Sequence, residues 1–132
     1  MTKIVLSGSM SLIDKMKNVA TKLETMGYVT VLPNEDDWSS IPTDKKNDYK
    51  KEVSMKYFKE IAKEDTSAVL VINEPKKGTK NYIGANTFAE IAIAFYFGKK
   101  IYLLNDFYNQ LIDELAGWGA VPLYGVLSDI NN

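Results

Sequence analysis

The chain contains neither cysteine nor histidine. Without cysteine there is no disulfide framework, no thiolate nucleophile and no Cys-ligated zinc or iron–sulfur centre. Without histidine there is no Ser-His or Cys-His activation, no imidazole base, and the commonest transition-metal ligand is missing. Catalysis, if any, runs on carboxylates, lysine, tyrosine or backbone dipoles, and no metal or cofactor is expected. A charge excess is lacking too: 16 basic residues face 17 acidic ones. A dedicated nucleic-acid binder carries a clear basic surplus, so nucleic acid is not an expected partner. Long hydrophobic runs are also scarce. Near the start, Ile4-Val5-Leu6 is too short for a signal peptide or a membrane span, so a cytoplasmic protein with no membrane partner is expected.

What is present fits a single domain over residues 1–132, because 45% hydrophobic and 25% charged residues are ordinary for a soluble globular chain of this length. Ile4-Val5-Leu6 predicts a buried strand ended by the turn Ser7-Gly8-Ser9. Ile13, Met16, Val19, Ala20 and Leu23 recur at helical spacing. Ser9 or Ser11 is placed to cap that helix, and Gly27 stands where a left-handed C-terminal residue belongs. Tyr28–Leu32, stopped by Pro33-Asn34, predicts the second strand. After a polar stretch, Thr43 and Asp44 open a charged helix running to about Glu64, with Val53, Tyr57, Phe58 and Ile61 as its apolar stripe.

Ala68–Ile72 is apolar without alternation, which predicts a strand covered on both faces, as in a parallel sheet. A loop from Asn73 to about Asn86 leads to a helix Thr87–Phe97 closed by Gly98. A fourth strand Ile101–Leu104, a helix around Phe107–Ala116 and a short strand near Val121–Leu127 follow. This alternation predicts an α/β three-layer sandwich with a five-stranded parallel sheet in the order 2-1-3-4-5, joined by right-handed crossovers. In that order the chain changes direction between strands one and three. Open α/β sheets bind ligands at such a point, beyond the C-terminal strand ends. The loops Ser7–Ser11 and Asn73–Asn86 meet there.

Several chemistries drop out at these loops. Ser7-Gly8-Ser9-Met10-Ser11 lacks both the G-x-G-x-x-G of dinucleotide binders and the G-x-x-x-x-G-K-[ST] of P-loops. A phospho-receiver needs acids after strand one and an Asp after strand three, where this chain has Ser7 and Asn73. The Ser-Gly-Ser turn either cradles an anion at a helix N-terminus or simply turns the chain and caps a helix. The stretch Asn81–Glu90 also has two readings. Thr87-x-x-Glu90 matches a capping box, with Thr87 as cap and Glu90 reaching back. Alternatively Glu90 faces the crevice from the first helical turn, where the helix dipole holds it ionised as a nucleophile or cation stabiliser.

Ser7-Gly8-Ser9 after strand one, the Val69–Asn73 segment, and Tyr82-Ile83-Gly84-Ala85-Asn86-Thr87-Phe88-Ala89-Glu90 followed by Gly98-Lys99-Lys100-Ile101 resemble the nucleoside 2-deoxyribosyltransferase superfamily, which includes deoxynucleotide N-hydrolases. The resemblance implies a flavodoxin-like (Rossmann-like) sandwich and a homodimer or higher homo-oligomer. It implies Glu90 as the nucleophile at the anomeric carbon of a nucleoside or its 5′-monophosphate. It implies a sugar or phosphate pocket from Ser7, Gly8, Ser9, Met10, Asn73, Tyr82, Gly84, Asn86 and Thr87. An N-glycosidic bond breaks through an oxocarbenium-like state that a carboxylate stabilises or traps, with no metal required.

Two features depart from that family. Its acid on the helix before strand three has no match here; Glu60, Asp65 and Tyr57 are the nearest substitutes. The acid before the site-loop glycine is replaced by Tyr82 and Ile83. A site with one carboxylate and no partner points to an alternative, a protein that binds a nucleotide or nucleotide-derived signal without turning it over. A third possibility is an interaction protein in which Glu90 is only a cap. Lys76, Lys77, Lys80, Asp36, Asp37, Trp118 and Tyr124 are secondary candidates, each with a commoner role in a solvated loop, a turn or packing.

Overall fold

The computed structural model describes residues 2–130. Its strands are β1 (Lys3–Ser7), β2 (Val29–Val31), β3 (Thr66–Val71), β4 (Lys100–Leu103) and β5 (Val121–Pro122); its helices are α1 (Ile13–Thr25), α2 (Lys46–Ala62), α3 (Ala85–Tyr96) and α4 (Ile112–Gly117). All sheet pairings are parallel and the strand order is β2-β1-β3-β4-β5. The predicted architecture and topology are the observed ones.

Side-chain alternation assigns the two faces of the sheet. Ile4 and Leu6 of β1, Ala68 and Leu70 of β3 and Tyr102 of β4 pack on Met16, Val19, Ala20 and Leu23 of α1, and Ile130 of the C-terminal tail joins them. Val5, Val69, Val71, Ile101 and Leu103 point the other way, onto Ile61 of α2, Ile91 and Ala94 of α3 and Leu115 of α4. Ser7 continues the parity of Val5, so its hydroxyl emerges on the α2–α3 side. Trp118 lies against Phe88 and Phe95 of α3, with stacked rings at centroid distances of 5.4 and 5.0 Å.

Local differences from the expected elements have local causes. Neither Ser9 nor Ser11 caps α1: a 3-10 turn over Met10–Leu12 precedes it, and the two hydroxyls bond each other at 2.9 Å. Thr43–Lys45 form a 3-10 turn rather than the first turn of α2, and Asn109–Leu111 do the same before α4. The edge strands β2 and β5 are shorter than expected; β5 stops at Pro122, and Tyr124 and Gly125 then turn the chain with φ of +50° and +79°. Gly27 and Gly98 end their helices with φ of +97° and +72°, as expected of left-handed C-terminal positions. Among the described residues no helix is long and apolar enough to cross a membrane.

Candidate active site

A cleft of about 710 Å³ opens at the C-terminal ends of β1 and β3, bounded by α2 on one wall and the start of α3 on the other. Its floor is the turn after β1: Ser7, Gly8, Ser9 and Met10 all line it. Tyr82, Gly84, Asn86, Thr87 and Glu90 line the α3 wall. Asn73 does not line the cleft. It is fully buried, its amide donating to the Asp106 carbonyl at 2.7 Å and its Oδ1 accepting the Asn105 N–H at 2.9 Å. The side chain thus locks the loop after β3 to the loop after β4.

The capping box does not form. The helix cap lies three residues earlier than the box spacing implied, at Gly84, which is extended and makes no side-chain cap bond, so Thr87 is already inside the helix and buried. Glu90 is consequently the sixth residue of α3 and has no cap to serve. Its Oε1 instead accepts the Ser7 hydroxyl across the sheet–helix boundary. Nor does the helix dipole keep it ionised, since that influence fades beyond the first turn. Burial pushes the Glu90 carboxyl up to about 7, against the opposing pull of the Ser7 hydroxyl and the Lys50 cation.

The substitutes proposed for a partner acid lie elsewhere or are committed. Lys3, at the N-terminal end of β1, pairs with Glu60 at 2.8 Å and Asp65 at 3.0 Å, and Lys63 takes the other oxygen of Glu60 at 2.8 Å. Hydrogen bonds from Lys3 and Lys63 hold the Glu60 carboxyl below its ordinary value. Glu60 borders the deep end of the cleft, but its oxygens are engaged. The Tyr57 hydroxyl donates to the Leu6 carbonyl and lies 3.4 Å from that of Val31, closing the gap where β1 and β2 diverge. Burial raises its phenol well above the usual range, so it remains a neutral donor.

Sequence reasoning weighed only Tyr57 and Glu60 on the α2 wall and passed over the rest of it. Lys50, Val53, Ser54 and Tyr57 all line the cleft. Their i, i+3, i+4, i+7 spacing marks one helical face, and that spacing was the available signal. At the mouth, Trp38 packs on Tyr49 with tilted rings whose centroids are 5.8 Å apart, and Lys46 sits 4.6 Å above the Trp38 ring. The Tyr49 hydroxyl donates to Asp36. Of the secondary candidates, Asp36 and Lys76 border the cleft, and Lys76 lies 5.5 Å from the Tyr82 ring centre. Asp37 instead caps a 3-10 turn through Ser39. Among the described residues no group of three or more acidic side chains gathers where a metal ion would bind.

Gly8 is the tightest point of the floor. A Cβ there would meet the Ile72 carbonyl oxygen at 3.2 Å and the Ile72 Cβ at 3.3 Å. Ile72 is buried and its N–H bonds the Ser7 carbonyl at 2.8 Å, so neither neighbour is free to give way. Gly8→Ala is expected to cost about 1–3 kcal/mol in urea-induced unfolding through overpacking.

No family model matches the sequence. No curated protein matches it either. Among solved structures the chain is similar to the CMP N-glycosidase BcmB of Clostridium botulinum, with a TM-score of 0.55 and 16% identity over 92% of this chain and 88% of that one. At this level of identity what the two proteins share is the fold.

Proposed function

We propose that the protein cleaves or transfers the N-glycosidic bond of a (deoxy)nucleoside or its 5′-monophosphate, with Glu90 as nucleophile. The observation that carries the proposal is a carboxyl at the switch-point cleft that serves no cap and is aimed by the Ser7 hydroxyl. The likeness in fold to an enzyme named for cleaving CMP supports it, as does the resemblance of Tyr82–Glu90 to the deoxyribosyltransferase superfamily. In this mechanism the ionised Glu90 attacks C1′ as the bond to the base breaks, giving a glycosyl ester that water or a second base then opens. Ser7 fixes the direction of the attacking oxygen. The turn Ser7–Met10 and the residues Asn86 and Thr87 hold the sugar or its phosphate.

Charge in the cleft favours the 5′-monophosphate over the free nucleoside. Lys56 and Lys76 border it, whereas Glu60 is neutralised by Lys3 and Lys63 and Asp36 accepts the Tyr49 hydroxyl. A homodimer or higher homo-oligomer in the cytoplasm is part of the same proposal. The half-exposed Phe95 and Phe97 flanking a largely exposed Tyr96 at the end of α3 support the association.

The test is incubation with ribo- and deoxyribonucleosides and their 5′-monophosphates, CMP and dCMP included, with chromatography for free base. Release of base by the wild type and its loss in Glu90→Ala are expected. A wild type that releases no base from any member of the panel, or a variant as active as the wild type, refutes the proposal. A second reading, binding without turnover, is favoured by one observation: neither of the other acids bordering the cleft, Asp36 and Glu60, has a carboxylate free of a partner. It predicts ligand-dependent thermal stabilisation with the nucleotide recovered intact.

A further inference from the structure

Glycosidic cleavage needs two things on opposite sides of the sugar. One is a nucleophile at C1′; the other is a group that accepts the charge arriving on the departing base. Glu90 supplies the first from the α3 wall. For the second, carboxylic acids are the usual choice, yet Asp36 already accepts the Tyr49 hydroxyl and Glu60 is held between two lysines. Tyr57 is spent on the Leu6 carbonyl.

The wall facing Glu90 is α2, and Lys50 lies on the stripe of that helix that carries Tyr57. Because α2 runs antiparallel to the strands, Lys50 stands two helical turns nearer the cleft mouth than Tyr57, which is anchored at the floor. Its ammonium is close enough to Glu90 to favour the carboxylate electrostatically. Of the other lysines bordering the cleft, Lys56 is offset from the Tyr57 stripe by one residue, and Lys76 sits over Tyr82 on the opposite side.

We infer that Lys50 is a catalytic residue that stabilises and protonates the departing nucleobase, taking the role that a second carboxylic acid fills in paired-acid glycosidases. The inference rests on the glycosidase reading of Glu90. In the first step the Glu90 oxygen bonds to C1′, the C1′–N bond breaks, and its electron pair moves onto the base. The Lys50 ammonium hydrogen-bonds to the base and delivers a proton, so the base leaves neutral and Lys50 becomes an amine. In the second step water adds to C1′, Glu90 departs as carboxylate, and the proton from that water returns to Lys50. The sum is nucleotide plus water giving base plus sugar phosphate, with both side chains restored.

A group that assists departure matters only when the leaving group needs help. Wild type, Lys50→Met, Lys50→Arg and Glu90→Gln are therefore compared on CMP, on cytidine, and on 4-nitrophenyl ribofuranoside 5-phosphate, whose phenolate leaves without protonation. Lys50→Met is expected to lower kcat/KM for CMP roughly 10²–10³-fold, and for the nitrophenyl compound less than about tenfold, within the effect of losing one charge-assisted contact. Lys50→Arg, which keeps the cation, is expected to recover part of the CMP activity. An equal loss on CMP and the nitrophenyl compound overturns the inference. So does a loss on both phosphorylated compounds that disappears with cytidine, which would make Lys50 a phosphate ligand. Failure of the glycosidase reading is seen separately. In that case wild type cleaves neither nucleotide nor nitrophenyl compound, or Glu90→Gln cleaves both, and the role of Lys50 falls with it.

Discussion

Replacing Glu90 with glutamine is expected to abolish turnover and, at alkaline pH, to make the protein more stable. The two effects share a cause. The carboxyl is buried enough to titrate near 7 rather than at its ordinary 4.5, so the folded protein carries a cost whenever the group is ionised. Below about 4.5 the acid is protonated in both folded and unfolded chains, and glutamine confers no electrostatic advantage. Between 4.5 and 7 the unfolded chain releases its proton while the folded one keeps it, so native stability falls as the pH rises; above about 7 the penalty is complete. Its ceiling is about 3 kcal/mol. Because the cleft is open to water, about 2–3 kcal/mol is expected, a rise in Tm of roughly 7–11 °C at pH 8. At pH 4 the two proteins should melt together. Glutamine keeps an oxygen for the Ser7 hydroxyl, so the comparison isolates charge from hydrogen bonding.

The corresponding loss of activity is expected to be roughly 10³-fold or more, since an amide does not form the glycosyl ester. For wild type, kcat/KM should rise with pH and level off above about 7, standing roughly tenfold below its plateau at pH 6. A flat profile from pH 5 to 8, or equal melting of wild type and Glu90→Gln at pH 8, would show that Glu90 is neither buried nor reactive in the manner described.

Asn73→Ala is expected to be the most destabilising of the polar substitutions, at about 2–4 kcal/mol, a fall in Tm of roughly 7–14 °C. It strands the Asp106 carbonyl and the Asn105 N–H in a region where Asn73 itself is 0% exposed. Asn105 also reaches the Asn73 carbonyl at 3.1 Å and Glu74 at 2.8 Å, contacts that the substitution leaves in place, so the loops keep their course. Nucleotide affinity measured well below the transition should be unaltered. A weakened affinity with an unchanged Tm would restore Asn73 to the substrate-binding role that the sequence resemblance implied.

The sheet order was legible from the chain because β1 and β3 carry the unbroken apolar runs Ile4–Leu6 and Ala68–Val71, buried on both faces as central strands of a covered parallel sheet require. The position of the cleft followed from that order. Whether Glu90 capped a helix was not legible. Ala85 and Asn86 suit the end of a loop and the first turn of a helix equally well, and the choice is made by the extended backbone of Gly84. Three residues of displacement moved Glu90 out of the reach of the helix terminus and under Ser7. That partner was implicit in the alternation of β1, in which Val5 and Ser7 share a face. Asn73 was misplaced because it stands beyond Val71, where β3 ends and alternation no longer says where a side chain points. Lys50 was passed over because α2 is rich in lysine all round; only its spacing from Tyr57 separates it from the solvated ones.

The chain's two tryptophans occupy opposite environments. Trp118 is held between Phe88 and Phe95 in the packing of α3, whereas Trp38 is 47% exposed at the cleft mouth beneath the Lys46 ammonium. The protein therefore carries two intrinsic fluorophores that answer different questions. Emission from Trp118 is expected to follow the integrity of the fold, and emission from Trp38, which lines the cleft, to follow its occupancy. A Trp38→Phe variant separates the two signals, allowing ligand binding and unfolding to be read in the same cuvette without an added dye.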